Sequence, residues 1–368
     1  MTGGGDLSKK TTQPTVSTTK PNTEKVQNRN QNSPVANTIL VTGASGFVGS
    51  HLLNLLDRTA QDATLIAWCR PKIRQDQHLS SPPRPKPTSN RVKWRSVDLL
   101  DGPAVTRAIA ETLPTQVYHC AGVANVGGSW SNSYQTLRTN VMGTEHLLTA
   151  LRNQSVATRV LVPGSALTYQ PSTSAISETA PLRPVSPYGL SKLAQEMLAL
   201  MSSNHQGVTV IVTRSFTHIG PGQASAYAAS SFAEQIARIE AGYSKPVLRV
   251  GNLDARRDLT DVRDTVRAYQ LLMAHGVGAK PYNVCSGEAH RVRNVLDGLL
   301  AATPATVSVC QDPTRTRPSD NPLLLGDRTR ITRDVGWLPE IPLSQTLTDL
   351  LDYWREVVST QSSQTTSR

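Results

Sequence analysis

The stretch "SPYGLSK", Ser186 to Lys192, sets a tyrosine and a lysine four residues apart. On a helix two such residues share one face. A phenol of pKa about 10 is a weak proton donor at neutral pH, and an ammonium one turn away favours the phenolate and brings that value down. A third polar group, Ser165, closes the run "RVLVPGS", at the C-terminal end of a strand-like segment, where open α/β sheets place their ligands. Ser165 could then hold a carbonyl oxygen toward Tyr188, Tyr188 could protonate it, and Lys192 could supply the charge. Spacing alone does not decide this. The bland reading is a packing tyrosine, a lysine on a solvated helix face and a serine that caps a helix.

These residues need elements to position them. From Thr38 the chain alternates short apolar runs with helical periodicity: "TILVTG", "ATLIAWC", "VKWRSVDL", "QVYHCAG", "RVLVPGS" and "VTVIVTRS" read as strands, Ser133 to Arg152 and Tyr188 to Met201 as helices. Strands this apolar, each followed by a helix, imply a parallel sheet covered on both faces, hence an α/β doubly wound (Rossmann) fold. After about Phe216 the regularity loosens, and a smaller second region interleaved with the first is expected. The reading divides the chain into a tail (1–37), a dinucleotide-binding region (38–215, with 251–280), a second region (216–250 and 281–358) and a flexible end (359–368).

The first strand runs into "VTGASGFVGSHL", with Gly43, Gly46 and Gly49 at three-residue intervals before a helix that starts near Phe47. Glycines there permit a tight turn and a close approach of backbone N–H groups to a pyrophosphate at a helix N-terminus. The expected cofactor contacts are Gly43, Ser45, Gly46, Phe47, Val48 and Gly49. About twenty residues on, an NAD-binding protein carries an acid that takes hydrogen bonds from the ribose 2′-hydroxyl. Here the sequence reads "AWCRPK", and Arg70, with Lys72 and Arg74 behind it, suits a 2′-phosphate, so NADPH is expected over NADH. Asp98, followed by Leu99, is placed to contact the adenine or else to cap the helix that begins near Gly102.

The formal charge of +11 raises nucleic acid as a partner. Its distribution argues otherwise: residues 1–37 carry +3, residues 70–95 carry +7, and +1 remains for everything else. The tail is poor in apolar residues and "RQDQHLSSPPRPKPTSNR", within an insertion at about 72–91, is Pro-rich and aperiodic, so both read as solvated segments. Cys69, Cys120, Cys285 and Cys310 are widely spaced, three of them in apolar strand-like runs. They read as buried thiols, with neither a disulfide nor a metal site expected. With no apolar leader and no membrane span in the sequence, a cytoplasmic protein is the simplest expectation.

The TGxxGxxG loop, Ser165, Tyr188 and Lys192 together resemble the extended branch of the short-chain dehydrogenase/reductase superfamily, which acts on nucleotide sugars. The C-terminal half narrows this. "SFTHIGPGQ", "GNLDARRDLTDVRD", "YNVCSGEA", "RPSDNPLLLGD" and "GWLPEIPLSQTLTDLLDYWRE" resemble the GDP-6-deoxy-D-mannose reductase family. The resemblance implies reduction of GDP-4-dehydro-6-deoxy-D-mannose to GDP-D-rhamnose with NADPH, NADH being the alternative, and no metal. It further implies Lys192 on the nicotinamide ribose and a homodimer through the helices of Ser133–Arg152 and Tyr188–Met201. Thr217 stands where the family has an Asn that helps hold the sugar nucleotide; Leu259 replaces a Phe and Gln170 a Gly. Arg257 and Arg317 are candidates for the diphosphate and ribose, and Asp320 for ribose hydroxyls, with surface ion pairs at helical spacing as the alternative. Rival functions are a GDP-mannose 4,6-dehydratase, a 4-epimerase, an NADP-sensing regulator and an RNA-binding protein of the same fold. Family dehydratases carry a Glu two residues before the tyrosine of the Ser165–Tyr169 stretch; this chain has Leu167 there.

Overall fold

The computed structural model describes residues 1, 3–5, 37–71, 89–203, 207–315 and 321–365. Lys72, Arg74, Arg317, Asp320, most of the basic insertion and nearly all of the tail lie outside the described residues. Contacts divide the chain into Met1–Val35 and Ala36–Arg368, and the elements below belong to the second unit.

Through its first half the chain runs β1 (Thr38–Thr42), α1 (Phe47–Thr59), β2 (Thr64–Cys69), β3 (Lys93–Ser96), α2 (Gly102–Thr112), β4 (Gln116–His119), α3 (Gly128–Ser131), α4 (Ser133–Leu137), α5 (Gly143–Arg152), β5 (Thr158–Ser165), α6 (Pro187–Ser202) and β6 (Val208–Ser215). The second half adds β7 (Thr217–Ile219), α7 (Ala228–Glu240), β8 (Val247–Val250), β9 (Arg256–Asp261), α8 (Val262–His275), β10 (Pro281–Val284), β11 (Ala289–Arg291), α9 (Val292–Ala301), β12 (Ser308–Gln311), β13 (Leu323–Leu324), α10 (Thr329–Val335) and α11 (Leu343–Thr365). Among the described residues, no helix is long and apolar enough to cross a membrane.

The six expected strands and β10 form a seven-stranded parallel sheet in the order β10-β6-β5-β4-β1-β2-β3. The order reverses between β1 and β4, so the crevice over their C-terminal ends is where such a sheet binds ligands. One face is covered by Leu52, Leu53 and Leu56 of α1 with Tyr269 and Leu272 of α8; the other by Ile109 of α2 and Leu147, Leu148 and Leu151 of α5. A separate core joins α7, α9 and α11 through Phe232, Leu296, Leu351 and Trp354. Removing any of these large side chains would cost about 2–5 kcal/mol.

Four features differ from the sequence reading. First, β10 lies in the central sheet beside β6, while β9 pairs with β7, β11 and β13 in a smaller one, so the boundaries drawn at 251 and 281 do not follow the sheets. Strands of three to six residues carry too little pattern to say which sheet they join. Second, the helix from Ser133 to Arg152 is interrupted by a π-turn at Arg138–Met142. Third, Asn37, placed in the tail, accepts a hydrogen bond from the Thr64 backbone N–H at 2.9 Å and so belongs to the sheet. Fourth, only Cys285 is buried; Cys69 and Cys120 are half-buried at strand ends and Cys310 is exposed on β12, and all four are unpaired thiols.

Candidate active site

The glycine loop between β1 and α1 is shaped for close backbone approach. Gly43 has φ of 63°, and a Cβ there would lie 2.6 Å from the Ala121 Cα; one on Gly49 would lie 2.2 Å from the Gly43 carbonyl oxygen. The first turn of α1 carries no acidic residue, leaving the helix N-terminus positive. These residues fit a pyrophosphate. Ser45 is exposed at the turn and Val48 half-buried. Phe47 stacks on His218 of β7 at 6.0 Å between ring centroids, which ties the loop to the second half of the chain.

Arg70 is exposed immediately after β2. The Ala44 N–H donates to the Trp68 carbonyl at 3.0 Å, so the glycine loop and the end of β2 are joined. The Val97 N–H donates to the Cys69 carbonyl at 3.0 Å, which brings Asp98 to the same edge. Asp98 is exposed and accepts from the Leu100 N–H at 2.9 Å. Helix α2 is instead capped by Asp101, which accepts from the Ala104 N–H at 3.0 Å, so the capping alternative for Asp98 does not hold. Leu99 offers its carbonyl to His146 Nδ1 at 2.8 Å.

Ser165 ends β5 and starts a single 3-10 turn, Ala166–Thr168; its Oγ accepts from the Leu167 N–H at 3.1 Å. Helix α6 opens on Pro187, whose fixed φ suits a first helical position, and is capped by Ser186, which accepts from the Gly189 N–H at 3.1 Å. A Cβ on Gly189 would sit 2.4 Å from the Leu167 carbonyl oxygen. Glycine at that position is what lets α6 press against the Ser165 turn. Tyr188 is half-buried, its N–H donating to Ser129 Oγ at 3.2 Å. Burial pushes its phenol above the usual range, and a hydrogen bond with Ser165 pulls it back.

Lys192 is buried at 9% exposure, which removes the solvated-face alternative. Burial lowers its pKa to about 8. Its ammonium donates to the Pro163 carbonyl at 2.5 Å and to the Gln195 amide oxygen. Contrary to the sequence expectation, the influences that set the Tyr188 phenol are burial, Tyr227 and Ser165, and Lys192 is not among them.

Two contributors escaped the sequence reading. Asn140, in the π-turn and fully buried, accepts from the Val123 N–H at 2.8 Å and donates to Ser191 Oγ at 2.9 Å, fastening the loop after β4 to α6. Gln195 is 1% exposed; its signal was a polar residue three positions after Lys192, on the helix face that faces the core. The second half of the chain supplies Thr217, half-buried at the start of β7 opposite Leu259. Arg257 lies on β9, half-buried, donating to the carbonyls of Arg256 at 3.0 Å and Asn321 at 2.6 Å. The "RRDLTD" stretch is a strand, so Arg257 does not sit at helical spacing.

The matched family model decides the relationship: that of GDP-mannose 4,6 dehydratase matches residues 40–350. The chain belongs to this family. GDP-6-deoxy-D-mannose reductase of Pseudomonas aeruginosa is 33% identical over 87% of this chain and 98% of its own length. GDP-mannose 4,6-dehydratase of Vibrio cholerae is 25% identical over 85% and 92%. Among solved structures, that of RMD from Pseudomonas aeruginosa complexed with NADPH superposes with a TM-score of 0.73 at 31% identity, covering 87% of this chain and 99% of that one. Like the rest of the GDP-mannose 4,6 dehydratase family, the chain is an enzyme of the extended short-chain dehydrogenase/reductase type and uses a nicotinamide cofactor.

Proposed function

We propose that this enzyme is an NADPH-dependent reductase of the 4-keto group of GDP-4-dehydro-6-deoxy-D-mannose, giving GDP-D-rhamnose. The observation that carries the reading is the turn after Ser165. Elimination across C5 and C6 needs a base for the C5 proton and an acid for the leaving hydroxyl, and a pair such as Ala166–Leu167 can transfer no proton. The Ser165–Tyr188–Lys192 set suffices for reduction.

The bound nicotinamide cofactor supplies a hydride. Ser165 holds the carbonyl oxygen, Tyr188 donates a proton to it as charge develops, and Lys192 contributes a buried positive charge and grips the nicotinamide ribose. Gly43, Ser45, Gly46, Phe47, Val48 and Gly49 cradle the pyrophosphate, Arg70 pairs with a 2′-phosphate, and Asp98 and Leu99 border the adenine. The sugar nucleotide lies toward the second half of the chain, with Thr217, Arg257, Arg317 and Asp320 as its contacts. Leu190, Met197 and Met201 of α6 are 50%, 58% and 65% exposed, and Tyr134 and Met142 of the neighbouring helical run are 72% and 46% exposed. An apolar patch of this kind is what a second copy of the chain would cover, so the working unit is a homodimer. The four unpaired cysteines suit a cytoplasmic enzyme.

The test is incubation of the purified protein with NADPH and a panel of 4-keto sugar nucleotides, with product identification. GDP-4-dehydro-6-deoxy-D-mannose should consume one NADPH per molecule while GDP-mannose stays untouched. Formation of a keto sugar from GDP-mannose alone would overturn the reading in favour of a dehydratase.

A further inference from the structure

The Gln195 amide is the last link of a buried hydrogen-bond chain in which every proton can be assigned. Thr144 Oγ1 donates to the Asn140 carbonyl at 2.7 Å. A hydroxyl has one proton, so Thr144 can only accept from its other two neighbours, Gln195 Nε2 at 2.7 Å and His119 Nε2 at 2.9 Å. His119 must therefore carry its proton on Nε2, and Nδ1, 2.8 Å from Thr42 Oγ1, accepts from the threonine. Thr42 Oγ1, its proton spent, accepts from the Ala121 N–H at 3.3 Å. Thr42, His119, Thr144 and Gln195 are each at most 2% exposed. The chain thus begins at the end of β1, beside the glycine loop, and fixes which way the Gln195 amide faces: NH₂ toward Thr144, oxygen toward Lys192.

We propose that Gln195 is a positioning residue, holding the Lys192 ammonium at the active site with an uncharged acceptor that the Thr42–His119–Thr144 chain orients. The inference rests on the role proposed for Lys192. Neutrality is the point of the design. A carboxylate here would strengthen the ammonium but could not donate to Thr144, whereas an apolar side chain would leave Lys192 with the Pro163 carbonyl as its remaining hydrogen-bond partner among the described residues. The charged and titratable groups facing Lys192 are His119 at the end of β4, Cys120 just after it and Glu196 from α6. Burial lowers His119 to about 3 and raises Cys120 to about 12. Glu196 is paired with Arg214 of β6 at 2.5 Å. His119 and Cys120 titrate far from the value of about 8 of Lys192, so a break there in cofactor affinity that Lys192→Met removes reports Lys192.

NADPH affinity is measured by fluorescence titration between about pH 6 and pH 10, a readout independent of the sugar substrate, with thermal melts to confirm folding. Wild type should weaken above a break that Lys192→Met removes. Gln195→Met, close in size but lacking the acceptor, should move the break down by about one pH unit, because a charge-assisted hydrogen bond no longer favours the ammonium. Gln195→Glu should move it up by at least as much. Opposite shifts in these two variants support the proposal; a purely structural role would leave the break in place, and an unmoved break in both overturns it. A break that survives Lys192→Met refutes the role of Lys192 and this inference with it. Failure of the sugar assay alone would overturn the proposed substrate and leave the cofactor titration to judge Gln195.

Discussion

Gly189→Ala probes the contact that brings α6 to the Ser165 turn. The added Cβ would sit 2.4 Å from the Leu167 carbonyl oxygen and 3.0 Å from the Pro184 Cβ, against 3.4–4 Å for ordinary contact. The obstruction is backbone, so it cannot be relieved by rotating a side chain. The helix and the turn must part by about 1 Å, and a misplacement of that size between reacting groups costs about 100-fold in rate. Tyr188 is the neighbouring residue and Lys192 lies one turn on, so both move relative to Ser165. The expected result is kcat lowered about 100-fold with GDP-4-dehydro-6-deoxy-D-mannose, a KM for NADPH much less affected because the glycine loop is untouched, and about 1–3 kcal/mol of stability lost to overpacking. Initial rates of NADPH oxidation, taken well below the melting temperature of the variant, measure the first two; thermal or urea unfolding measures the third. A variant that is destabilised as expected yet keeps nearly wild-type kcat would refute the claim that this contact sets the catalytic geometry.

Tyr188→Phe should abolish NADPH consumption while leaving NADPH binding within a few-fold of wild type; retained turnover in the same assay would remove Tyr188 as the proton donor. Arg70→Ala should weaken NADPH by about 1.5–3 kcal/mol, roughly 10- to 150-fold, and NADH little; equal loss of both in side-by-side kinetics would sink the cofactor preference. Asp57 accepts from Ser89 Oγ at 2.5 Å and Arg91 Nε at 2.9 Å at the end of α1, and the Ser89 hydrogen bond holds its carboxyl below the ordinary 3.8. A depressed folded-state value contributes stability that is present above the unfolded pKa and lost as pH falls through the folded one. Asp57→Asn should therefore be less stable than wild type at neutral pH, with the gap closing on acidification below pH 3.8; urea unfolding across that range would contradict this by giving a constant gap.

Local pattern was enough for the parts of this protein whose physics is local. The apolar runs of β1, β2, β4, β5 and β6 and the helical spacing of α6 announce a parallel sheet covered on both faces, and glycines at positions 43, 46 and 49 announce a turn that backbone and phosphate can share. Tyr188 and Lys192 were legible as a pair because one helix turn fixes their separation. Leu167 was legible too, since the absence of a carboxylate needs no fold to be seen. Only the tertiary structure decided the rest. The assignment of β10 to the central sheet and β9 to the smaller one depends on pairing between segments far apart in sequence, which strands of four and six residues cannot encode alone. The burial of Lys192 and the direction of the Gln195 amide depend on Thr144 of α5 and His119 of β4, residues 51 positions apart from Gln195 in one case and on a different strand in the other. Likewise the phenol of Tyr188 answers to how deeply α6 is buried and to Ser165 across the turn, because desolvation and hydrogen bonding act through space while spacing in a sequence records only what lies along the chain.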